Sequence, residues 1–326
     1  MIEKVYCVRS DSINPYYNLG LEEYLFHNIP ANSMILYLWQ NERTVVIGKN
    51  QNAYKECNLN AMEKDHCYLA RRSSGGGAVY HDLGNLNYSF IMYLDNYDIQ
   101  KQHETVIHAL NILGLPAEYN GRNDIEVNGF KVSGNAYMTE REHCLHHGTL
   151  LWNVRMNDMN RYLQPSEKNI KARGEESVSA RVANLVDFNP QITLAQVEKA
   201  LLQAVADNYG KVYEMAVPAG TEEYTEKYHS YNFIYNRISP YTVMVHDYYE
   251  FGEVQLYADI DKGVIKKTDI FTDALDSEIV EKMHRMLDGM PVDDINFKKR
   301  LANTFDKEYH RDMARIYLAI KKYCYR

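Results

Sequence analysis

Leu69-Ala70-Arg71-Arg72-Ser73-Ser74-Gly75-Gly76-Gly77-Ala78-Val79-Tyr80-His81-Asp82 sets two arginines, two hydroxyls and three consecutive glycines between apolar flanks. Glycine at this density lets the backbone come close to a ligand or take φ > 0. Successive N–H groups in such a turn can form an anion-binding concavity, and arginines add bidentate phosphate donors. The plainer alternative is a tight turn beside a solvated charge pair, since glycine is also the default turn residue. Arginines before the turn and His81 after it favour the anion site. Neither familiar phosphate loop fits. No Gly-x-x-x-x-Gly-Lys-Ser/Thr occurs, and Tyr80 stands where a dinucleotide fingerprint needs glycine.

Working outward, the upstream sequence alternates helix and strand signals. Asn14-Pro15 looks like a helix start, and Tyr17, Leu21, Tyr24 and Leu25 follow at helical spacing. Strand-like runs at 34–39 and 44–48 are joined by the polar turn Gln40-Asn41-Glu42-Arg43. Core packing is the ordinary job for Trp39, which closes the first run, though an aromatic there could also line an apolar ligand slot. A helix is expected over Leu59 to Lys64.

Downstream, residues 87–92 read as a strand, and Val106, Leu110 and Leu113 mark a helix ended by Gly114. Asn128-Gly129 predicts a hairpin between strands at 125–127 and 131–132, which would bring Asn123-Asp124 near Lys131. Lys131 can be an exposed strand lysine paired with Asp124. Alternatively, flanked by Phe130 and Val132, its stem can be enclosed. His146-His147-Gly148-Thr149-Leu150 reads as a capped turn before a strand more readily than as a ligand site. Residues 168–182, basic at both ends, are either a solvated loop or a lid that orders on an anionic ligand.

Thr193 and Gln196 match a capping box. Residues from about 218 to 240 are polar and tyrosine-rich and form the best linker candidate. Beyond them an Asp261-Lys262-Gly263 hairpin, a helix capped by Ser277 and a last helix over about 306–322 suffice for a small α+β domain.

Bulk properties narrow the function classes. A formal net charge of −8 argues against broad nucleic-acid binding. Five cysteines without a Cys-x-x-Cys pair suggest neither a disulfide framework nor a zinc knuckle. With no signal-peptide h-region and no apolar run of spanning length, the expectation is a cytoplasmic, reduced protein that does not enter membranes. An anion-cradling loop, one semi-enclosed lysine and a basic lid suit activation of a carboxylate by ATP. Cations must neutralise two mutually repelling anions and the charge growing on the α-phosphate, and the water-labile anhydride gains from shielding.

Arg71 to His81, Gly121-Arg122-Asn123-Asp124, Lys131-Val132-Ser133-Gly134-Asn135-Ala136 and His146-His147-Gly148-Thr149-Leu150 closely resemble bacterial lipoate–protein ligase A. The resemblance extends to Val45 through Asn52, to the Ser177–Val182 loop and to the C-terminal region. It implies an α/β (α+β) fold: a biotin-ligase-like catalytic domain over 1–243 and a small α+β accessory domain over 244–326. It implies that lipoate and Mg-ATP give lipoyl-AMP and pyrophosphate. The acyl group then passes to a lysine of lipoyl domains in 2-oxo-acid dehydrogenase acyltransferase subunits or of the glycine-cleavage carrier protein.

By position, the resemblance makes Lys131 the catalytic residue touching both lipoyl carbonyl and phosphate. Arg72, Ser74, Gly75, Gly76, Gly77, Ala78, Val79, Tyr80 and His81 would hold lipoate and nucleotide, with Trp39, Gly76 and His81 at the lipoate pocket. Asn123 and Asp124 would lie near phosphates and magnesium, Asp124 as its ligand. His147, Gly148 and Thr149 would join the binding site, and Ser177, Val178, Arg181 and Val182 would close over the adenylate. Where relatives often read Ser-Val-Arg-Ser-Arg-Val, this chain has Ser177-Val178-Ser179-Ala180-Arg181-Val182, one cation fewer. Two alternatives stay open: an ATP-independent octanoyl or lipoyl transferase using Cys144 as nucleophile, and a lipoyltransferase fed pre-formed lipoyl-AMP. The quaternary state is also open, a monomer included.

Overall fold

The computed structural model describes residues 2–121, 123–164, 181–235 and 240–324. Two compact units divide the chain. The first comprises Met1–Ile47, Ala53–Ser73 and Ala78–Ile234; the second comprises Gly48–Asn52, Ser74–Gly77 and Tyr235–Arg326.

Strands of the first unit are β1 (Lys4–Arg9), β2 (Ser33–Trp39), β3 (Thr44–Ile47), β4 (Tyr68–Arg71), β5 (Val79–His81), β6 (Asn85–Tyr93), β7 (Ala117–Tyr119), β8 (Asp124–Val127), β9 (Phe130–Glu140), β10 (His143–Leu151) and β11 (Val212–Glu214). Among the described residues, eight of them form a mixed sheet in the order β11-β1-β2-β6-β10-β9-β8-β7, and β4-β3-β5 form a small second sheet. β1 runs parallel to β11 and β2, and the remaining pairs of the large sheet are antiparallel.

Every residue of β2 is buried because both faces of the sheet are covered. Met34, Leu36 and Leu38 enter one core with Phe90, Val106, Leu110 and Leu201, beneath the helices Ile99–Ile112 and Leu194–Tyr209. Ile35, Tyr37 and Trp39 face a second core with Leu19, Leu21 and Leu25 of the helix Pro15–His27 and Val46 and Ala70 of the small sheet. Local chemistry sets the ends as expected. Asn14 accepts from the N–H groups of Tyr16 and Tyr17, and Thr193 and Gln196 complete their capping box. Gly114 takes φ 77° after its helix.

The second unit holds an antiparallel sheet of β12 (Val243–Tyr249), β13 (Gly252–Asp261), β14 (Val264–Thr272) and the short β15 (Met290–Pro291). Helices Ile279–Leu287, Asp294–Thr304 and His310–Cys324 enclose a core that includes Leu256, Ile265, Met283 and Ile316.

Three expectations need correction, and one connection is specified further. The tyrosine-rich stretch expected as a linker carries helices Glu222–His229 and Tyr231–Tyr235, with Tyr228 and Ile234 buried. Its apolar spacing is too short to show as a period. Ser277 is not a cap: Glu278 occupies that position, without a side-chain cap bond. The runs on either side of Gln40–Arg43 belong to different sheets and do not pair with each other. His146 and His147 lie inside β10, not in a turn before it. No described helix is long and apolar enough to cross a membrane.

Candidate active site

The hairpin of β8 and β9 is built as the Asn-Gly pair requires, with Asn128 at φ 52° and Gly129 at φ 80°. Its register is interrupted. Ile125 pairs with Ser133 and Glu126 with Lys131, so Val132 has no partner in β8. Residues directly opposite one another share a face of the sheet. Ile125 and Val127 are fully buried, and Ser133 joins them. In an unbroken strand Lys131 would follow Ser133 into that apolar layer. The extra residue turns it to the other face, where Asp124 and Gly134 are paired.

There Lys131 Nζ lies 2.8 Å from Asp124 Oδ1, with the lysine side chain 30% exposed and the aspartate 16%. The approach is an ion pair without hydrogen-bond alignment, since Asp124 Oδ1 accepts no hydrogen bond. A Cβ on Gly134 would meet Lys131 Nζ at 2.9 Å and Cε at 3.0 Å. Gly134 N–H is anchored on Thr149 Oγ1 at 3.1 Å. Of the two readings left open for Lys131, the pair with Asp124 is the arrangement found, and the stem is only partly enclosed. Val182 forms a parallel bridge with Lys131, and Ala183 N–H donates to Lys131 O at 3.0 Å. Arg181 beside it is exposed. Ser177 and Val178, with the rest of 165–180, lie outside the described residues, as does Arg122.

A second cluster is sealed between β10, β5 and the helix Pro15–His27. His147 Nδ1 contacts Glu22 Oε1 and Oε2 at 2.9 and 3.0 Å, and Ser89 Oγ donates to Oε1. Arg72, 6% exposed, donates to Val46 O at 3.3 Å. Burial brings its guanidinium down to about 10 against the pull of Glu22. His81 is 3% exposed, and burial, helped by Arg72 and His147, holds it down at about 3. It is therefore neutral. Asn41 accepts from Asn18 through Oδ1, which turns its amide nitrogen to His81 Nδ1 at 3.3 Å. The imidazole proton then sits on Nε2, which is buried and bonds to no described residue. The Trp39 ring is edge-on to His81 at 6.0 Å, and its Nε1–H donates to Ser89 Oγ at 3.2 Å. Trp39 is thus core on one side and neighbour of His81 on the other.

Asn135 ties the hairpin to the strands beside it. Its Nδ2 donates to Asn123 O at 3.0 Å, its Oδ1 accepts from Tyr88 OH, and His146 Nε2 lies 2.8 Å from the same oxygen. Gly148 leaves the space that the Tyr88 hydroxyl and Asn135 occupy. Ala78 is half-buried and Val79 packs on the second core. Tyr80 is buried, its hydroxyl 3.5 Å from Asp158 Oδ2.

Arg71 is not an anion donor. Its Nε donates to Phe233 O at 2.8 Å and Ile234 O at 3.0 Å, and burial brings it down to about 10. In the second unit, Gly76 takes φ 90° and its N–H donates to Ala274 O at 2.8 Å. Cβ atoms on Gly75 or Gly48 would strike Ala274 O or Gly76 O. Ser74 is fully buried and its carbonyl accepts from Lys49 N–H at 2.8 Å. Gly77 has open space at its Cα. Close backbone packing therefore requires glycine at 75 and a left-handed φ favours it at 76, where the amide is already engaged, while position 77 has room for a side chain.

Cys144 is 1% exposed, and burial pushes its thiol up to about 11. A nucleophilic cysteine needs the opposite shift. Among the described residues no three His, Cys, Asp or Glu side chains gather as a metal site. Magnesium takes one or two carboxylates beside phosphate oxygens, and the Asp124 carboxylate, whose Oδ1 stands against the Lys131 ammonium but accepts no hydrogen bond, fits that part.

Sequence reasoning missed Glu22, Asn41 and Asn135 as members of these networks. Glu22 sits on the buried face of its helix, between Leu21 and Leu25, and that misplaced charge was the available signal.

Known proteins resemble this chain over most of its length. Residues 14–206 match the family model "Lipoyl protein ligase A/B catalytic domain", and 239–319 match "Bacterial lipoate protein ligase C-terminus". Lipoate-protein ligase A of Blochmanniella pennsylvanica is 38% identical over 296 residues, covering 86% of this chain and 87% of that protein. The crystal structure of P. falciparum LipL1 in complex with lipoate superposes with TM-score 0.85 at 26% identity, covering 98% of this chain and 99% of that one. A lipoate-protein ligase A bound with ATP gives 0.62 at 27% identity, covering 72% and 98%. The bipartite lipoate protein ligase of Thermoplasma acidophilum, studied with its E2 lipoyl domain, gives 0.64 at 26% identity, covering 74% and 100%.

Proposed function

The chain belongs to the lipoyl protein ligase A/B family, and from that premise we propose that Lys131 carries an ATP-dependent lipoate–protein ligation. The activity is two-step. A lipoate carboxylate oxygen attacks the α-phosphorus of ATP, the bond to the β-phosphate oxygen breaks, and pyrophosphate leaves. A lysine amine of a lipoyl domain then attacks the acyl carbon, AMP departs with the bonding pair, and the amine proton passes to solvent.

The observation that carries this reading is the cation of Lys131, re-aimed by a strand bulge and held in place by Asp124 and Gly134. An ammonium is a compact point charge, suited to bridging an acyl oxygen and a phosphate oxygen as negative charge grows between them. Asp124 would hold magnesium, which supplies charge neutralisation at the phosphates. His81, neutral with its proton on Nε2, offers a buried donor beside Trp39. With Arg72 and His147 it is assigned to the lipoate and nucleotide site, together with Ser74, Gly75–Gly77, Ala78–Tyr80, Asn123, Gly148 and Thr149. Ser177, Val178, Arg181 and Val182 are assigned to closure over the adenylate. Residues 1–243 are assigned to catalysis and 244–326 to an accessory domain, in keeping with separate family matches over 14–206 and 239–319.

Relatives solved with lipoate, with ATP and alongside an E2 lipoyl domain support these substrates. The proposed acceptors are lipoyl domains of 2-oxo-acid dehydrogenase acyltransferase subunits and the glycine-cleavage carrier protein. The proposed compartment is the cytoplasm, which suits the free thiols. The test supplies free lipoate, Mg-ATP and an unmodified lipoyl domain. Pyrophosphate release that needs both small substrates, followed by one lipoyl mass increment on the acceptor, is expected. Acceptor modification from pre-formed lipoyl-AMP alone would reduce the protein to a lipoyltransferase.

A further inference from the structure

We infer that Gly134 is a positioning residue whose lack of a side chain lets the Lys131 ammonium settle over the strand toward Asp124. This rests on the reading that Lys131 carries adenylation. Three observations converge on it. The bulge at Val132 puts Lys131, Gly134 and Asp124 on one face of the hairpin. A Cβ on Gly134 would lie 2.9 Å from Lys131 Nζ and 3.0 Å from Cε, with Asp124 Oδ1 next at 3.9 Å. The Gly134 backbone is pinned by its hydrogen bond to Thr149 and lies in extended strand pairing with Asp124.

Strand interiors disfavour glycine, so its presence needs a reason. A positive φ does not supply one, because Gly134 is not among the residues of this chain with left-handed φ. Backbone crowding does not either, since the nearest atoms to the absent Cβ belong to the tip of the flexible lysine. A methyl group at 134 is therefore accepted by the strand, and the ammonium is what must move. Displacing a reacting group by about an ångström costs roughly a hundredfold in rate.

The experiment is Gly134→Ala, assayed for lipoate-dependent pyrophosphate release alone and combined with Lys131→Ala. The expected single variant keeps its melting temperature and its KM for lipoate and ATP, while kcat falls roughly ten- to a hundredfold. In the Lys131→Ala background the same substitution should change the residual rate less than about twofold, because the two residues act as one unit. A wild-type rate in Gly134→Ala overturns the inference. So does an equal loss in both backgrounds, which would make the glycine act without the lysine. A protein that no longer folds overturns it as well, since the claim assigns the cost to the lysine alone. A near-normal rate in Lys131→Ala by itself removes instead the catalytic reading on which the inference stands.

Discussion

His147 Nδ1 sits 2.9 Å from Glu22 Oε1, with the two side chains only 9% and 1% exposed. This pair lies at the centre of the sealed cluster, close enough to Arg72 for its carboxylate to support that buried guanidinium. Replacing Glu22 takes from the buried Arg72 guanidinium the carboxylate that offsets its burial. Glu22→Gln is expected to cost about 3 kcal/mol of stability. Urea titration with the midpoint compared at one pH checks this, and an unchanged midpoint would remove Glu22 from the framework.

Lys131→Ala should lower adenylation roughly a hundred- to a thousandfold, the loss expected when one charge-stabilising donor is removed. Lys131→Arg should fail as well. The space over Gly134 suits a compact ammonium, and a planar fork cannot take its place. Single-turnover pyrophosphate release reads both. An active arginine variant would show that only charge matters here.

His81 ties stability to pH. Its ordinary value is 6.5 and the fold holds it at about 3. Between those values the unfolded chain binds a proton there that the folded chain refuses, so stability rises with pH across this window and is lost on acidification. His146, buried and held well below 6.5, acts in the same direction. Urea midpoints should fall between pH 7 and pH 5, and His81→Gln should fall less steeply. Equal slopes would contradict the assignment.

Cys144→Ala should leave both half-reactions within about twofold of wild type while costing about 1 kcal/mol of stability through a lost buried group. Loss of acyl transfer with retained folding would revive a thioester route.

Arg71→Lys should destabilise by about 1–3 kcal/mol, because one ammonium cannot serve the two carbonyls that the fork holds. Hydrogen exchange should quicken first in the helix Tyr231–Tyr235. Unchanged exchange there would show that the arginine does not hold that helix.

Periodicity and turn chemistry made much of this legible in advance. Asn14, Thr193, Asn128-Gly129 and Lys262-Gly263 act through bonds a few residues away, so sequence alone carries their meaning. The short helices after residue 221 escaped because eight and five residues barely show a period. Residue type alone does not separate the roles of Arg71 and Arg72; only the resemblance set Arg72 apart. Which carbonyl an arginine meets depends on chain 162 residues away. Motif order pointed to Lys131, yet the reason its side chain faces Asp124 lies in a register slip that no residue type announces.

That slip leaves the hairpin at odds with itself. Pairing Val132 opposite Glu126 in a regular ladder would set Lys131 opposite Val127 and rotate the ammonium into the apolar layer of Ile125 and Val127. Regular pairing and chemistry thus make opposite demands on this stretch, and the looped-out residue settles them in favour of the ammonium.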